Sequence, residues 1–259
     1  MDDLDRRLVV CGGSAAGGAR AENQDTFVIA DLASGKMSRP CVRTDLSVHR
    51  PGVLLVVCDG ATGQHAGKVA AHVAARAVKR ELEQVGSAVV AEPALSLDRA
   101  LVGANHAVAR EAKAQNEERR METTCTAAVF GPEHLAVAQV GDSRAYLLRD
   151  AKLGRLTHEE PTRSPLDGDS YRDLLTQTLG ADRGVQPLLI EIELCEGDRV
   201  LLCSKGLHGV LSDEKIASIL RDALDVSDTT DALIAAALDA DAADNVTVVI
   251  AECGRLLRQ

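Results

Sequence analysis

The chain has few aromatic side chains to work with: two Phe, two Tyr and no Trp in 259 residues. Its core must therefore be assembled from Val, Leu, Ile and Ala, and a binding surface built on base stacking is disfavoured, because such surfaces repeat exposed rings. Positive charge is also short. With 29 Lys and Arg against 39 Asp and Glu, the formal charge is −10. That argues against nucleic acid and against an anionic membrane as partners, since both select basic patches. No apolar run approaches the length of a membrane-spanning helix. The opening Met1-Asp2-Asp3 lacks the basic start and apolar core of a secretory leader. The cysteines at 11, 41, 58, 125, 195, 203 and 253 include no Cys-x-x-Cys pair and mostly lie inside apolar runs. They read as small buried hydrophobes of a reducing compartment, with neither a disulfide frame nor a zinc site expected. What remains is a soluble, cytoplasmic globular chain, 46% hydrophobic and long enough to bury a sizeable core.

What is present is an alternation of short apolar runs with longer helical patterns. Val53 to Cys58 is continuously apolar and stops at Asp59-Gly60, as a buried strand does at a turn. The alanine-rich stretch from His65 to Val85 predicts a long helix, and Leu97 to Glu118 a second. Thr124–Phe130 and Leu135–Val140 read as a hairpin around Gly131-Pro132-Glu133, with Ala145–Arg149 the next strand. Leu188–Leu194 and Arg199–Cys203 read as another hairpin around Glu196-Gly197-Asp198. Helices are expected at Asp213–Leu224, capped by Ser212, and at Thr229–Leu238, before a strand Val246–Glu252. Ser34–Arg50 and Glu159–Asp173 read as surface loops or lids. With no linker and no repeat, the expectation is one α+β domain over residues 1–259, dominated by antiparallel pairing.

Four acidic turns stand out: Asp25, Asp59, Asp142 and Asp244, each at a strand end beside turn-forming residues. Any one of them is ordinarily turn chemistry. Together, carboxylates converging from several loops make a hard-oxygen site suited to Mg²⁺ or Mn²⁺. Other candidates carry less. His65 and His72 share a helix face, where solvent or packing roles are expected. Ser204 lacks a nucleophile elbow. The glycines from Gly12 to Gly18 lack a P-loop ending and read as a flexible turn.

The order of these elements resembles the type 2C protein serine/threonine phosphatases. Arg20-Ala21-Glu22-Asn23-Gln24-Asp25 is similar to their Arg-x-x-Asn-x-Asp motif, and Val56-Val57-Cys58-Asp59-Gly60-Ala61-Thr62-Gly63 to their Val-x-Asp-Gly-x-Gly-Gly. Glu122-Thr123-Thr124, Val140-Gly141-Asp142-Ser143-Arg144-Ala145-Tyr146-Leu147, Leu156-Thr157, Gln177-Thr178-Leu179-Gly180, Gly197 to Leu207 and Asp244-Asn245-Val246-Thr247 follow in the family's order. The likeness runs from about residue 8 to 252. It implies two packed antiparallel sheets with helices on both faces, an α-β-β-α sandwich. It also implies a two-metal site at one end that hydrolyses phosphoserine and phosphothreonine in proteins. By the same resemblance Asp59 bridges both ions, the Gly60 carbonyl and Asp244 bind one each, and Asp142 belongs to a third, weaker site. Arg20 then holds the phosphate, while Asp25 and Asn245 act from behind the ligands. The implied partners are a phosphoprotein substrate and a serine/threonine kinase.

Lys205 departs from that pattern: it stands in Ser204-Lys205-Gly206 where the family's Ser-Asp-Gly supplies a metal-binding Asp. A cation replaces an anion, which costs several kcal/mol beside a divalent ion in a poorly screened site. Three placements are open: the ammonium in the first metal's place beside Asp59 and Asp244, a single metal beside it, or Lys205 swung to solvent. The metal count expected is then two, one or none. The alternative function is a pseudophosphatase that binds a phosphoprotein or kinase without turnover. Ala61 occupies the slot where some members carry a His, Leu156-Thr157 lacks the following Asp-His, and the flap around 159–176 is short.

Overall fold

The computed structural model describes residues 4–49, 51–61, 64–115, 121–158, 177–181, 184–223 and 225–258. Chain order begins with β1 (Leu4–Ala15), β2 (Thr26–Asp31), β3 (Thr44–Val48) and β4 (Val53–Cys58), then α1 (Gln64–Val85), α2 (Ala88–Ala91) and α3 (Pro93–Ala114). β5 (Cys125–Phe130), β6 (His134–Val140), β7 (Arg144–Arg149), β8 (Lys152–Arg155), β9 (Leu188–Glu193) and β10 (Arg199–Cys203) follow. The chain closes with α4 (Lys205–His208), α5 (Asp213–Asp222), α6 (Val226–Asp239) and β11 (Val246–Arg258).

Among the described residues the strands form two antiparallel sheets, ordered β3-β1-β11-β10-β7-β8 and β2-β4-β5-β6-β9. Strand alternation sorts the apolar residues into three layers. Leu54 and Val56 of β4 face Leu82, Leu97 and Leu101 of α1 and α3. Leu55 and Val57, one residue on, face Leu8, Val10 and Val249 of the other sheet. Leu201, Val248 and Ile250 turn outward onto Leu207, Ile216 and Leu233 of the C-terminal helices. Burial on both faces is why β4 is apolar throughout. The shortage of aromatics is met by alanine: Ala70, Ala71, Ala74, Ala100 and Ala104 line the α1–α3 layer, and small side chains let helices approach closely. The α-β-β-α sandwich is thus as the family resemblance implies.

Several local readings need correction. β9 and β10 are not a hairpin: β9 pairs with β6 in one sheet, β10 with β7 and β11 in the other, so the Glu196-Gly197-Asp198 turn crosses the sandwich. Ser34–Arg50 is not simply a loop, because it holds β3, an edge strand paired with β1. Gly12 and Gly13 form no flexible turn. They lie in β1, where a Cβ at Gly12 would come within 2.6 Å of the Phe27 ring. The segments at 159–176 and at Thr62 and Gly63 lie outside the described residues. α6 starts three residues early because Asp225 caps it, accepting from Ser227 N. Ser212 caps α5, as read from the sequence.

Two arginines fasten the end of the sandwich that holds the β5–β6 turn. Arg6, 3% exposed, donates to the carbonyls of Pro132, Leu194 and Gly254. Arg149 of β7 grips Asp198 in the β9–β10 crossover through Nε–Oδ1 at 2.8 Å and Nη2–Oδ2 at 2.6 Å. Asp198 is 1% exposed and also accepts from Cys195 N. Replacing Arg149 with Ala strands that buried carboxylate, so a loss of about 3 kcal/mol is expected by urea unfolding.

Candidate acidic site at the sandwich end

The other end of the sandwich collects the acidic turns. Its frame is a directed chain of hydrogen bonds. Asn23 Nδ2 donates to Ser14 Oγ (2.7 Å), Ser14 Oγ meets Thr247 Oγ1 (2.6 Å), and Thr247 Oγ1 donates to Asp25 Oδ2 (2.6 Å). Asn23 Oδ1 accepts in turn from Asp25 N at 3.0 Å, which closes the loop. Asn245 Oδ1 takes Gln24 N at 3.0 Å, pinning the same segment to the start of β11. On the facing sheet, Thr124 receives Asp59 N on its hydroxyl at 3.1 Å and donates its own N–H to Asp59 O at 2.9 Å. Thr124 also meets Ser143 Oγ at 2.7 Å, beside Asp142. The hydroxyls of Thr124, Ser143 and Thr247 are fully or almost fully buried, so each must find a partner.

Glycine permits the close approach of three loops. A Cβ on Gly17 would lie 2.0 Å from the Asp244 carbonyl oxygen, and one on Gly206 would lie 2.1 Å from that of Asn245. Gly141 has φ of +100°, and its Cα faces Thr124, with a Cβ there 2.6 Å from Thr124 Cγ2.

Charge is distributed unevenly over the four carboxylates. Arg20 Nε binds Asp244 Oδ1 at 2.8 Å, and Lys205 Nζ binds Asp142 Oδ2 at 3.2 Å. Asp25 and Asp59 are 7% and 8% exposed. Asp25 Oδ1 is buried with no hydrogen-bond partner. Burial above all pushes the Asp25 carboxyl up to about 6. Burial first, then Asp25, Asp244 and Asp142, drive Asp59 well above the ordinary carboxylate range. Behind Asp59, burial and then Cys125 push the Cys58 thiol well up. Cys58 ends β4 and Cys125 begins β5, strands whose register pairs Val57 with Thr126.

The sequence candidates therefore converge: Arg20, Asp25, Asp59, Gly60, Asp142, Lys205, Asp244 and Asn245 all lie at this end. The placements read from the sequence did not include the one observed, an ion pair of Lys205 with Asp142. His65 is exposed on α1, and His72 bonds Thr26 Oγ1 at 2.7 Å. Sequence reasoning missed the roles of Ser14, Asn23 and Thr247, although Asn23 and Thr247 sat inside quoted motifs. His208, whose Nε2 donates to the Asp142 carbonyl at 3.0 Å, had no signal beyond its helix position.

Among the described residues no three Asp, Glu, His or Cys side chains converge in ligating geometry. The donor set still suits a hard divalent cation on the Asp59 side. Asp59, Asp244 and the Gly60 backbone supply oxygen, water completes such a shell, and the orphaned Asp25 Oδ1 lies in the same cluster of interacting carboxylates. On the Asp142 side a cation is already present.

Residues 43–240 match the family described as Protein phosphatase 2C. The serine/threonine protein phosphatase PstP of Mycobacterium tuberculosis is 34% identical over 80% of this chain and 41% of its own length. The chain thus spans less than half of that relative. The serine/threonine phosphatase stp of Listeria monocytogenes is 27% identical over 77% of this chain and 84% of its own. A crystal structure of the PstP catalytic domain in complex with two manganese ions superposes with a TM-score of 0.75 at 28% identity, covering 96% of this chain and 100% of that one.

The raised carboxyls fix the pH behaviour. A folded-state pKa above the unfolded value leaves stability intact below about pH 4 and removes it as pH rises towards 6. Asp25→Asn keeps an acceptor for Thr247 and deletes the buried charge. In chelator at pH 7.5 it should be more stable than the parent by about 3 kcal/mol, with the gap closing at pH 4. Thermal melts at the two pH values check this.

Proposed function

We propose that this chain, which belongs to the protein phosphatase 2C family, is a metal-dependent enzyme that hydrolyses phosphoserine and phosphothreonine in proteins. One observation carries the reading: buried Asp25 and Asp59 crowd together at a loop end and, among the described residues, no basic side chain is bonded to either, an arrangement that calls for a bound cation. The names of the relatives and the two manganese ions in a relative's crystal structure support the same chemistry.

In this reading Asp59, Asp244 and the Gly60 carbonyl would hold Mg²⁺ or Mn²⁺, which when bound would supply an acidified water and charge stabilisation at a phosphate oxygen. Asp25, locked by Thr247 and Asn23, accepts a proton or orients water from behind the ligands. Arg20 exchanges Asp244 for the phosphate, to which a guanidinium offers two parallel donors. Asn245 keeps the Glu22–Asp25 segment in place. Turnover is favoured over binding without turnover because the Asp59 side of the cluster is intact.

The same proposal takes residues 1–259 as one domain, since β1 pairs along its length with β11 from the other end of the chain. It places the protein in cytoplasmic signalling opposite a serine/threonine kinase. All seven cysteines are free thiols, and among the described residues no helix is long and apolar enough to cross a membrane.

The expected outcome is Mn²⁺-dependent hydrolysis of para-nitrophenyl phosphate and of a phosphothreonine peptide. Asp59→Ala should abolish it, and Arg20→Ala should raise KM for the peptide by about tenfold with a smaller change in kcat. Hydrolysis that survives chelation, or that Asp59→Ala leaves intact, would sink the proposal.

A further inference from the structure

We propose that Lys205 is a tethered cation that stands in for a divalent ion beside Asp142, dividing the acidic end into a half that neutralises itself and a half that requires metal. The inference rests on the reading of this end as a metal-dependent site, and it concerns how many ions that site takes.

The geometry is specific. Lys205 opens α4, and Gly206 behind it rests against the Asp244 and Asn245 carbonyls so closely that no Cβ fits. The start of α4 is thereby fixed relative to β11. From that position Nζ reaches Asp142 Oδ2 at 3.2 Å, and His208, one helical turn on, donates Nε2 to the Asp142 carbonyl at 3.0 Å. Asp142 is held from its other side as well, because the positive φ of Gly141 and the Thr124–Ser143 hydroxyl contact set the turn. Two basic side chains of one short helix thus address the two ends of a single Asp. The carboxylate is 13% exposed and the lysine side chain 49%. The ammonium keeps part of its hydration while neutralising a carboxylate that has lost most of its own, which lowers the cost of the pair.

The ion pairs point the same way. Among the described residues Arg20 pairs with Asp244 and Lys205 with Asp142, which leaves Asp25 and Asp59 to be matched by one divalent ion. A further divalent ion on Asp142 would lie within a few ångströms of the ammonium and be repelled by it. Asp142 is therefore not a metal ligand in this chain, and changing Lys205 to an acid opens a place for metal.

Manganese bound per chain, measured by equilibrium dialysis with elemental analysis, tests this in the parent, Lys205→Asp, Asp142→Asn and the double variant, each confirmed folded by its thermal melt. Lys205→Asp should bind at least one more Mn²⁺ per chain than the parent. Asp142→Asn alone should leave the parent's number unchanged, and adding it to Lys205→Asp should remove the gained ion. Equal numbers in the parent and Lys205→Asp overturn the inference, as does loss of an ion from the parent on Asp142→Asn. If it falls while Asp59→Ala still abolishes Mn²⁺ binding and turnover, the phosphatase reading stands alone. If Asp59→Ala changes neither, that reading falls separately.

Discussion

The cost of holding carboxylates out of water, with their mutual repulsion added to it, is the constraint on which this structure depends. Asp25 and Asp59 are almost fully buried and sense each other, Asp244 and Asp142. A folded chain keeps such an arrangement only if its backbone leaves the acids no retreat and if cations arrive to relieve it. The first condition is met by the strand ends themselves. The second is met in part by Arg20 and Lys205, and the remainder is the chemical demand that gives the site its purpose.

The sandwich supplies the necessary stiffness. Asp59 continues from β4, the strand with helices on one face and the second sheet on the other. Its N–H and C=O are both tied to Thr124, so backbone and carboxylate move only with the sheet. Asp25 leads into β2, the neighbour of β4 in the same sheet, and its carboxylate is held by Thr247 of β11, which Ser14 of β1 holds in turn, so side chains of the other sheet brace it. The two central acids thus face each other across neighbouring strands of one sheet, Asp25 just before β2 and Asp59 just after β4, and the hydroxyl chain ties that pair to the other sheet.

Much of this was legible in the sequence because strand-end motifs are local. Asp59-Gly60 after an apolar run and Asp244-Asn245 before one mark chain reversals wherever they occur. The order of such motifs carried the family resemblance, and it was the resemblance that implied the sandwich and a site at one end of it. What stayed hidden was non-local. Nothing near Glu196-Gly197-Asp198 says that its flanking strands enter different sheets, because the deciding partner, Arg149, lies 49 residues away. β3 was hidden inside an irregular stretch because an edge strand with one covered face has a weak pattern. Lys205 was recognisable as a departure, but its choice of Asp142 depends on how α4 rests on β11.

The two ends of the sandwich are fastened by opposite kinds of chemistry. At one end the Arg6 guanidinium donates hydrogen bonds to three backbone carbonyls. At the other, cohesion depends on groups that titrate and on ions that exchange. Stability along the long axis is therefore polar: the guanidinium end behaves as a permanent hinge pin and the acidic end as a clasp. Loosening under changing conditions would start at the clasp and travel along the strands towards Arg6, so the loops that carry the carboxylates open before the fold does.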